Sequence, residues 1–283
     1  MNRRNAHASG EFSPRTFLFS KYYRFLSWFK VGLVCLCQKE VNGMSNNTFR
    51  RKEIKFLLNP RQRAALEEAM RGHMKADEYG ESTISSLYYD TPDSLLIRRS
   101  LEKPLYKEKL RLRSYGTAKP DSKIYIELKK KYDGIVYKRR ISLPERDATA
   151  WLAGRIERPA DSQIAREIDW FLGHYGNLSP AMYLCYDRIA YFCPDDENLR
   201  ITFDRNIRWR TAALTLTASP WGEQLLPPGQ SLLEIKCADA MPLWLSDALN
   251  KNGIRRVSFS KYGTAYTTVR TRMLIEKGGV NVA

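Results

Sequence analysis

Residues 106 to 115 read YKEKLRLRSY, with Lys107, Lys109, Arg111 and Arg113 at every second position. Alternate side chains of a strand share one face, so a strand here carries a ladder of cations opposite Leu110 and Leu112. Such a ladder suits the binding of oxyanions, because Arg presents planar forks and Lys presents point charges to phosphate oxygens. The same alternation recurs along the chain. Glu53 and Lys55 share a face with Arg51, and Tyr125, Glu127, Lys129 and Lys131 share another. Lys138 pairs in parity with Arg140, Tyr186 with Arg188, Arg200 with Thr202 and Asp204, and Glu234 with Lys236. One such strand is ordinarily a sheet face turned to water. A solvated face usually mixes Thr, Ser and Gln with its charges, whereas here cations dominate strand after strand, with isolated Glu53, Glu127 and Glu234. Two like charges 4 Å apart at an effective dielectric near 20 repel by roughly 4 kcal/mol. An interior lined this way must be wet, partly offset by carboxylates, or filled by an anion. A few carboxylates among the cations also suit a hard divalent cation.

The whole composition agrees with an anionic partner. The chain has 283 residues and a formal net charge of +16, so nucleic acid, an anionic membrane surface and phosphate compounds all qualify. Five scattered cysteines do not form a disulfide framework and point to a reducing compartment, expected to be the cytoplasm. Cys35 and Cys37 lack CxxC spacing, and His7, His73 and His174 lie too far apart for a metal or triad motif. Glycine-rich nucleotide cradles are absent, as are RRM, KH and helix-turn-helix signatures, so nucleic acid is not the expected partner.

Residues 1–43 differ from the rest. They hold seven Lys/Arg and two Asp/Glu, and Lys21, Arg24 and Lys30 break their apolar stretch. The longest clean run, Val31 to Cys37, is far short of the roughly 20 residues that span a bilayer, so no transmembrane segment is expected. Lys39-Glu40-Val41 is encodable as AAG GAG GTN, a bacterial ribosome-binding sequence, and Asn42-Gly43 would be its spacer. Met44 is therefore expected as the start and 1–43 as a translated leader or extension; an intact native mass beginning at Met1 would overturn this.

The elements that must position the cations follow from pattern and punctuation. Strands are expected at 49–58, 82–89, 106–115, 123–131, 135–143, 181–191, 199–203 and 231–236, with Asp133-Gly134 as a hairpin turn. Helices are expected after Asn59-Pro60, at 146–153, 162–175 and 242–251, and from Lys261. The fold class is α+β: an antiparallel sheet or barrel with helices outside, in a single domain over 44–283.

In order along the chain, Glu53-x-Lys55, SLYYDT (86–91), KLRLRSYG (109–116), ELK (127–129), KRR (138–140), YDR (186–188), LRITFD (199–204), LLEIK (232–236) and SFSKY (258–262) resemble the VTC domain. This is the polyphosphate polymerase domain of the CYTH-like triphosphate tunnel metalloenzymes. Each motif is weak alone; the ordered series from about Phe49 to Tyr266 is specific. The resemblance implies an eight-stranded antiparallel tunnel barrel with helices packed outside. It implies that Lys55, Arg111, Arg113, Lys129, Lys138, Arg188, Arg200 and Lys261 hold a nucleotide triphosphate and a growing phosphate chain. Tyr186 and Ser260 match phosphate-contacting positions, and Lys109, Arg140 and Lys236 are further basic candidates on the same faces. Glu234 matches a carboxylate tied to Mn²⁺ or Mg²⁺, with Glu53 and Glu127 as further candidates; Glu127 is better read as the ion-pair partner of a neighbouring strand's Arg. The implied substrates are ATP and inorganic polyphosphate. Relatives in the wider superfamily open with ExExK; here Arg51 replaces the first Glu, which leans towards chain binding. A tunnel triphosphatase and a non-catalytic polyphosphate-binding module remain the alternatives.

Overall fold

The computed structural model describes residues 52–133, 135–238 and 240–278. The leader or extension expected at 1–43, and Arg51, lie outside the described residues. Eight strands of seven residues or more follow the sequence: β1 (Lys52–Leu58), β3 (Ser82–Asp90), β4 (Tyr106–Tyr115), β5 (Lys123–Tyr132), β6 (Ile135–Pro144), β7 (Ser179–Phe192), β8 (Arg200–Arg210) and β10 (Ser231–Cys237). Three two-residue strands join them: β2 (Lys75–Ala76), β9 (Glu223–Gln224) and β11 (Arg256–Val257). All pair antiparallel in one eleven-stranded sheet of order β11-β1-β10-β8-β7-β3-β4-β5-β6, with β2 on β7 and β9 on β8. The eight long strands lie where the sequence places strands. Among the described residues, however, no ladder joins β6 to β1 or β11, and the sheet is not a hydrogen-bonded barrel. It is nevertheless rolled: Lys129 on β5 acts electrostatically on Glu53 of β1 and on Lys236 of β10.

Alternation sorts the two faces. On the outer face, Leu110, Leu112, Ile124, Ile126 and Leu128 are fully buried. They lie against Trp151 of α3 (Glu145–Leu152) and Ile168 and Phe171 of α4 (Gln163–Tyr175). Further along, Phe56, Leu58, Ile201, Phe203, Leu233 and Ile235 pack on Leu66 of α1 (Pro60–Ala69) and Leu245 and Leu249 of α5 (Leu243–Lys251). Each such apolar side chain contributes roughly 1.5–3 kcal/mol by burial. Helix α1 starts as its sequence predicts: Asn59 and Gln62 form a reciprocal capping box with Pro60 in the first turn. The β5–β6 turn also follows its sequence, since Tyr132 pairs with Ile135 and Asp133 takes φ 43°, the left-handed backbone such hairpins need.

The inner face divides in two. Ile84, Met182, Leu184, Tyr186, Ile207 and Trp209 form an apolar cluster with Ile97 of α2 (Leu95–Leu101) and with Tyr262 and Ala265 of α6 (Lys261–Gly278). The rest of that face is ionic. A bulge makes the division on β8: Cys185 pairs with Arg208 and Asp187 with Arg205, so one extra residue shifts the parity. Before it Arg200, Thr202 and Asp204 face inward; after it Ile207 and Trp209 do.

Asp90 fixes the inner helices. It is fully buried, accepts the amides of Leu96 and Ile97 at 2.8 and 3.0 Å, and accepts the Tyr262 hydroxyl at 2.9 Å. Each buried donor left without a partner costs about 1–3 kcal/mol. Asp90→Ala is therefore expected to destabilise the protein by at least ~3 kcal/mol in urea unfolding; a loss under ~1 kcal/mol would show that the α2–α6 tie is dispensable. No helix among the described residues is long and apolar enough to cross a membrane.

Candidate functional site

Two carboxylate-centred clusters organise the ionic inner face. In the first, Glu127 on β5 is 1% exposed. Its Oε2 accepts Arg111 Nε at 2.8 Å, and its Oε1 accepts Lys138 Nζ at 2.8 Å and Arg140 Nε at 2.9 Å. Arg113 Nε lies 3.8 Å from Oε2. Strand register explains the gathering: Arg111 pairs with Glu127 from β4 and Arg140 pairs with it from β6. Burial alone would raise this carboxyl; Arg111, Arg113 and Lys138 outweigh it and hold it well below the usual range. With both oxygens taken by cations, the ion-pair reading of Glu127 fits better than metal ligation.

In the second cluster, Glu234 on β10 sits beside Asp204 on β8. Arg188 donates to Asp204 at 2.5 and 2.7 Å and reaches Glu234 at 3.2 Å. Lys261, the first residue of α6, ion-pairs with Asp204 and lies 3.0 Å from Glu234. Lys55 Nζ lies 3.5 Å from Glu234 and 3.3 Å from Glu53, and donates to the Phe259 carbonyl at 3.2 Å. Burial works against Glu234, yet Lys261, Lys55 and Arg188 keep it ionised far below its ordinary pKa. Burial likewise opposes the Lys261 charge, while Asp204 and Glu234 raise its pKa.

Five further lysines of the inner face lack a direct ion pair: among the described residues, Lys107, Lys109, Lys129, Lys131 and Lys236 have no carboxylate at ion-pair distance. Lys109 pairs across the sheet with Lys129, which pairs with Lys138. Burial, with Lys107, Lys129 and Lys55 adding repulsion and only Tyr88 opposing, pushes Lys109 down to about 8. Tyr88, on the facing strand, accepts Arg111 Nη1 at 3.0 Å and stacks on Tyr262 at 4.5 Å. Burial would raise the Tyr88 hydroxyl, but Arg111, Lys109 and Arg113 pull it to about 8. Whichever proton leaves, the pair loses one positive charge as pH rises through about 8. Affinity for tripolyphosphate is therefore expected to fall by about tenfold or more between pH 7 and 9.5. Titration calorimetry should show a shallower fall in Lys109→Met; identical slopes would remove Lys109 from anion binding.

Most sequence-predicted residues thus converge. Lys55, Lys109, Arg111, Arg113, Lys129, Lys138, Arg140, Arg188, Lys236 and Lys261 share the inner face with Glu53, Glu127 and Glu234. Tyr186 joins them, accepting Arg113 Nη2 at 3.3 Å. Two differ. Arg200 is exposed at the start of β8, opposite Lys236 and Phe192, outside both clusters. Ser260 caps α6, its hydroxyl accepting the Gly263 amide at 3.1 Å. Asp204 and Tyr88 were not singled out, although parity had already placed Asp204 with Arg200 and Thr202.

A divalent cation is tested by the donors present. Among the described residues no three acidic, His or Cys side chains converge on one point. Lys55 Nζ, however, bridges Glu53 and Glu234, so a cation already lies between two carboxylates. Mg²⁺-type ions are held by one or two carboxylates, with phosphate and water completing the shell. Glu234 with Glu53 supplies such a pair: cations also meet both Glu234 oxygens, but at 3.0–3.5 Å against 2.7–2.9 Å at Glu127, and a metal would take the place of Lys55.

Residues 50–270 match the family model of the VTC domain. A curated relative, subunit 4 of the vacuolar transporter chaperone complex of Trypanosoma brucei brucei, is 25% identical across 66% of this chain. The chain spans 28% of that relative's length. Similar solved structures include a Bacillus halodurans adenylate-cyclase candidate, at 13% identity and TM-score 0.46 over 74% of this chain and 95% of that one. Another is a Hippeastrum adenylyl-cyclase candidate described with a dominant triphosphatase activity, at 17% identity and TM-score 0.45 over 76% and 95%.

Proposed function

This chain belongs to the VTC domain family, and from that premise we propose that it is a metal-dependent polyphosphate polymerase. The observation that carries the reading is the excess of cation on the inner face. Beyond the two paired clusters, Lys107, Lys109, Lys129 and Lys131 continue the positive wall, none of them with a carboxylate at ion-pair distance among the described residues. That length of net positive charge suits a repeating phosphate chain better than one small anion.

In the proposed reaction, the terminal oxygen of phosphate or of a polyphosphate chain attacks the γ-phosphorus of ATP. A new P–O bond forms, the bond to the β–γ bridging oxygen breaks, and ADP leaves with that electron pair. Phosphoryl transfer needs in-line placement and charge neutralisation more than covalent help from the protein. Arg111, Arg113 and Arg188 would supply forks for the equatorial oxygens, and Lys55, Lys138 and Lys261 fixed charge. Lys109, Lys129, Arg140 and Lys236 would track the chain, with Tyr186 beside it. Arg200 would act at the mouth, and Ser260 through its cap of α6. Glu234, assisted by Glu53, would hold Mn²⁺ or Mg²⁺, which supplies Lewis-acid polarisation of the phosphate oxygens. In this reading the rolled sheet closes around the bound chain as a tunnel, and the enzyme works in the ATP-rich, reducing cytoplasm.

The test is transfer of label from γ-labelled ATP with Mg²⁺ or Mn²⁺. Label moving into acid-insoluble chains supports polymerisation. Release only as orthophosphate replaces it with the triphosphatase reading, and chain binding without turnover with the binding-module reading.

A further inference from the structure

Two neighbouring serines on β3 differ in a way that the fold alone does not require. Ser85 faces outward, is fully buried, and its hydroxyl meets the Tyr183 hydroxyl at 2.7 Å. Ser86 faces inward between Ile84 and Tyr88, is 1% exposed, and its Oγ has no hydrogen-bond partner among the described residues. Its partner across the β3–β4 ladder is Arg113. Arg113 is 8% exposed and its buried Nε also lacks a hydrogen bond, since Glu127 lies 3.8 Å away. Side chains directly opposite in a sheet have Cβ atoms about 5 Å apart. Two directly opposed residues of the inner wall thus each hold a buried polar atom without a partner among the described residues, and such groups are rare enough in native proteins to need an explanation.

Their chemistry selects what would satisfy them. Arg113 Nε–H can only donate. The Tyr186 hydroxyl already accepts from Arg113, which leaves its own proton to give. The Ser86 hydroxyl can give a third. A water here would have to turn its own protons towards a largely apolar surround that includes Ile84 and Leu184, the latter opposite Ser86 on β7. An oxygen of a phosphoryl group accepts several donors and offers none, and its charge strengthens each bond.

We propose that Ser86 is a further phosphate-contacting residue, its hydroxyl completing with Arg113 Nε and Tyr186 a buried pocket for one phosphoryl group. The proposal rests on the reading of the inner face as a phosphate-chain site and adds the group that sequence motifs leave out.

The experiment compares wild type, Ser86→Ala and Ser85→Ala by tripolyphosphate calorimetry and by ligand-free thermal unfolding. Neither needs turnover. Ser86→Ala is expected to weaken tripolyphosphate binding by about tenfold or more, with a ligand-free Tm equal to or above wild type, because the hydroxyl it removes has no partner. Ser85→Ala is expected to do the reverse, lowering Tm and leaving affinity unchanged. Unchanged affinity in Ser86→Ala, while wild type binds, overturns the pocket alone. A lowered Tm in Ser86→Ala with unchanged affinity assigns the hydroxyl a structural role and overturns it too. Failure of wild type to bind tripolyphosphate overturns the phosphate-chain reading itself, and the pocket with it.

Discussion

Glu127→Gln is expected to destabilise the ligand-free protein by about 3–5 kcal/mol, the usual consequence of removing one partner from a buried ion cluster. The glutamine keeps the shape and loses the charge that offsets Arg111, Arg113, Lys138 and Arg140. A polyanion should replace what the carboxylate supplied. Tripolyphosphate is thus expected to raise the stability of Glu127→Gln more than that of wild type, measured as the shift in urea midpoint. The acid limb should change as well. The native Glu127 pKa lies below its ordinary value of 4.5, so its stabilisation is fully present above about pH 4.5 and is lost as pH falls towards the native value. Glu127→Gln should lack that component. A loss below ~1 kcal/mol, with no extra rescue by tripolyphosphate, would mean that the four cations are solvated and do not form a charged interior.

Arg111→Ala is expected to lower kcat for phosphoryl transfer by about 10³-fold, within the range for removing a transition-state donor or an arginine that meets transferring phosphate. The fold should tolerate it better than Glu127→Gln, because Glu127 keeps Arg113, Lys138 and Arg140. Arg111→Lys separates charge from geometry. Lysine restores the cation without the fork that spans Glu127 and Tyr88, so most of the loss should persist. Full recovery with lysine would reduce Arg111 to a general source of field. Activity within threefold of wild type in Arg111→Ala would remove it from the reacting centre.

Much of this site was legible because alternation is strict in the β4–β5–β6 meander. With the Asp133 turn placed, the pairing of Arg140 with Glu127 follows from counting along the β5–β6 hairpin, whereas that of Arg111 depends on the longer 116–122 connection. What was not legible depended on departures from period or on tertiary contact. The bulge opposite Cys185 breaks the parity of β8, and the strand, expected to end at Phe203, runs on to Arg210. The short α2 hides among Leu95, Leu96 and Ile97 with no capping motif: Ser94 makes no side-chain cap, and Asp90, four residues earlier, takes that place. Lys109 and Tyr88 look like an ordinary ladder rung and a core aromatic until burial lowers Lys109 to about 8 and the cations around Tyr88, overcoming burial, lower its hydroxyl to about 8. The seam between β6 and β1 is also beyond pattern, because alternation gives the faces of strands but not which strands meet.

The most direct measurement is a phosphorus NMR time course of the protein with ATP and Mg²⁺ or Mn²⁺, alongside Glu234→Gln and Arg111→Ala. The account predicts a growing signal from internal phosphoanhydride units as ATP becomes ADP, abolished or strongly slowed in both variants. ATP that stays intact under both metals, or a wild-type spectrum in which only orthophosphate accumulates, would contradict it.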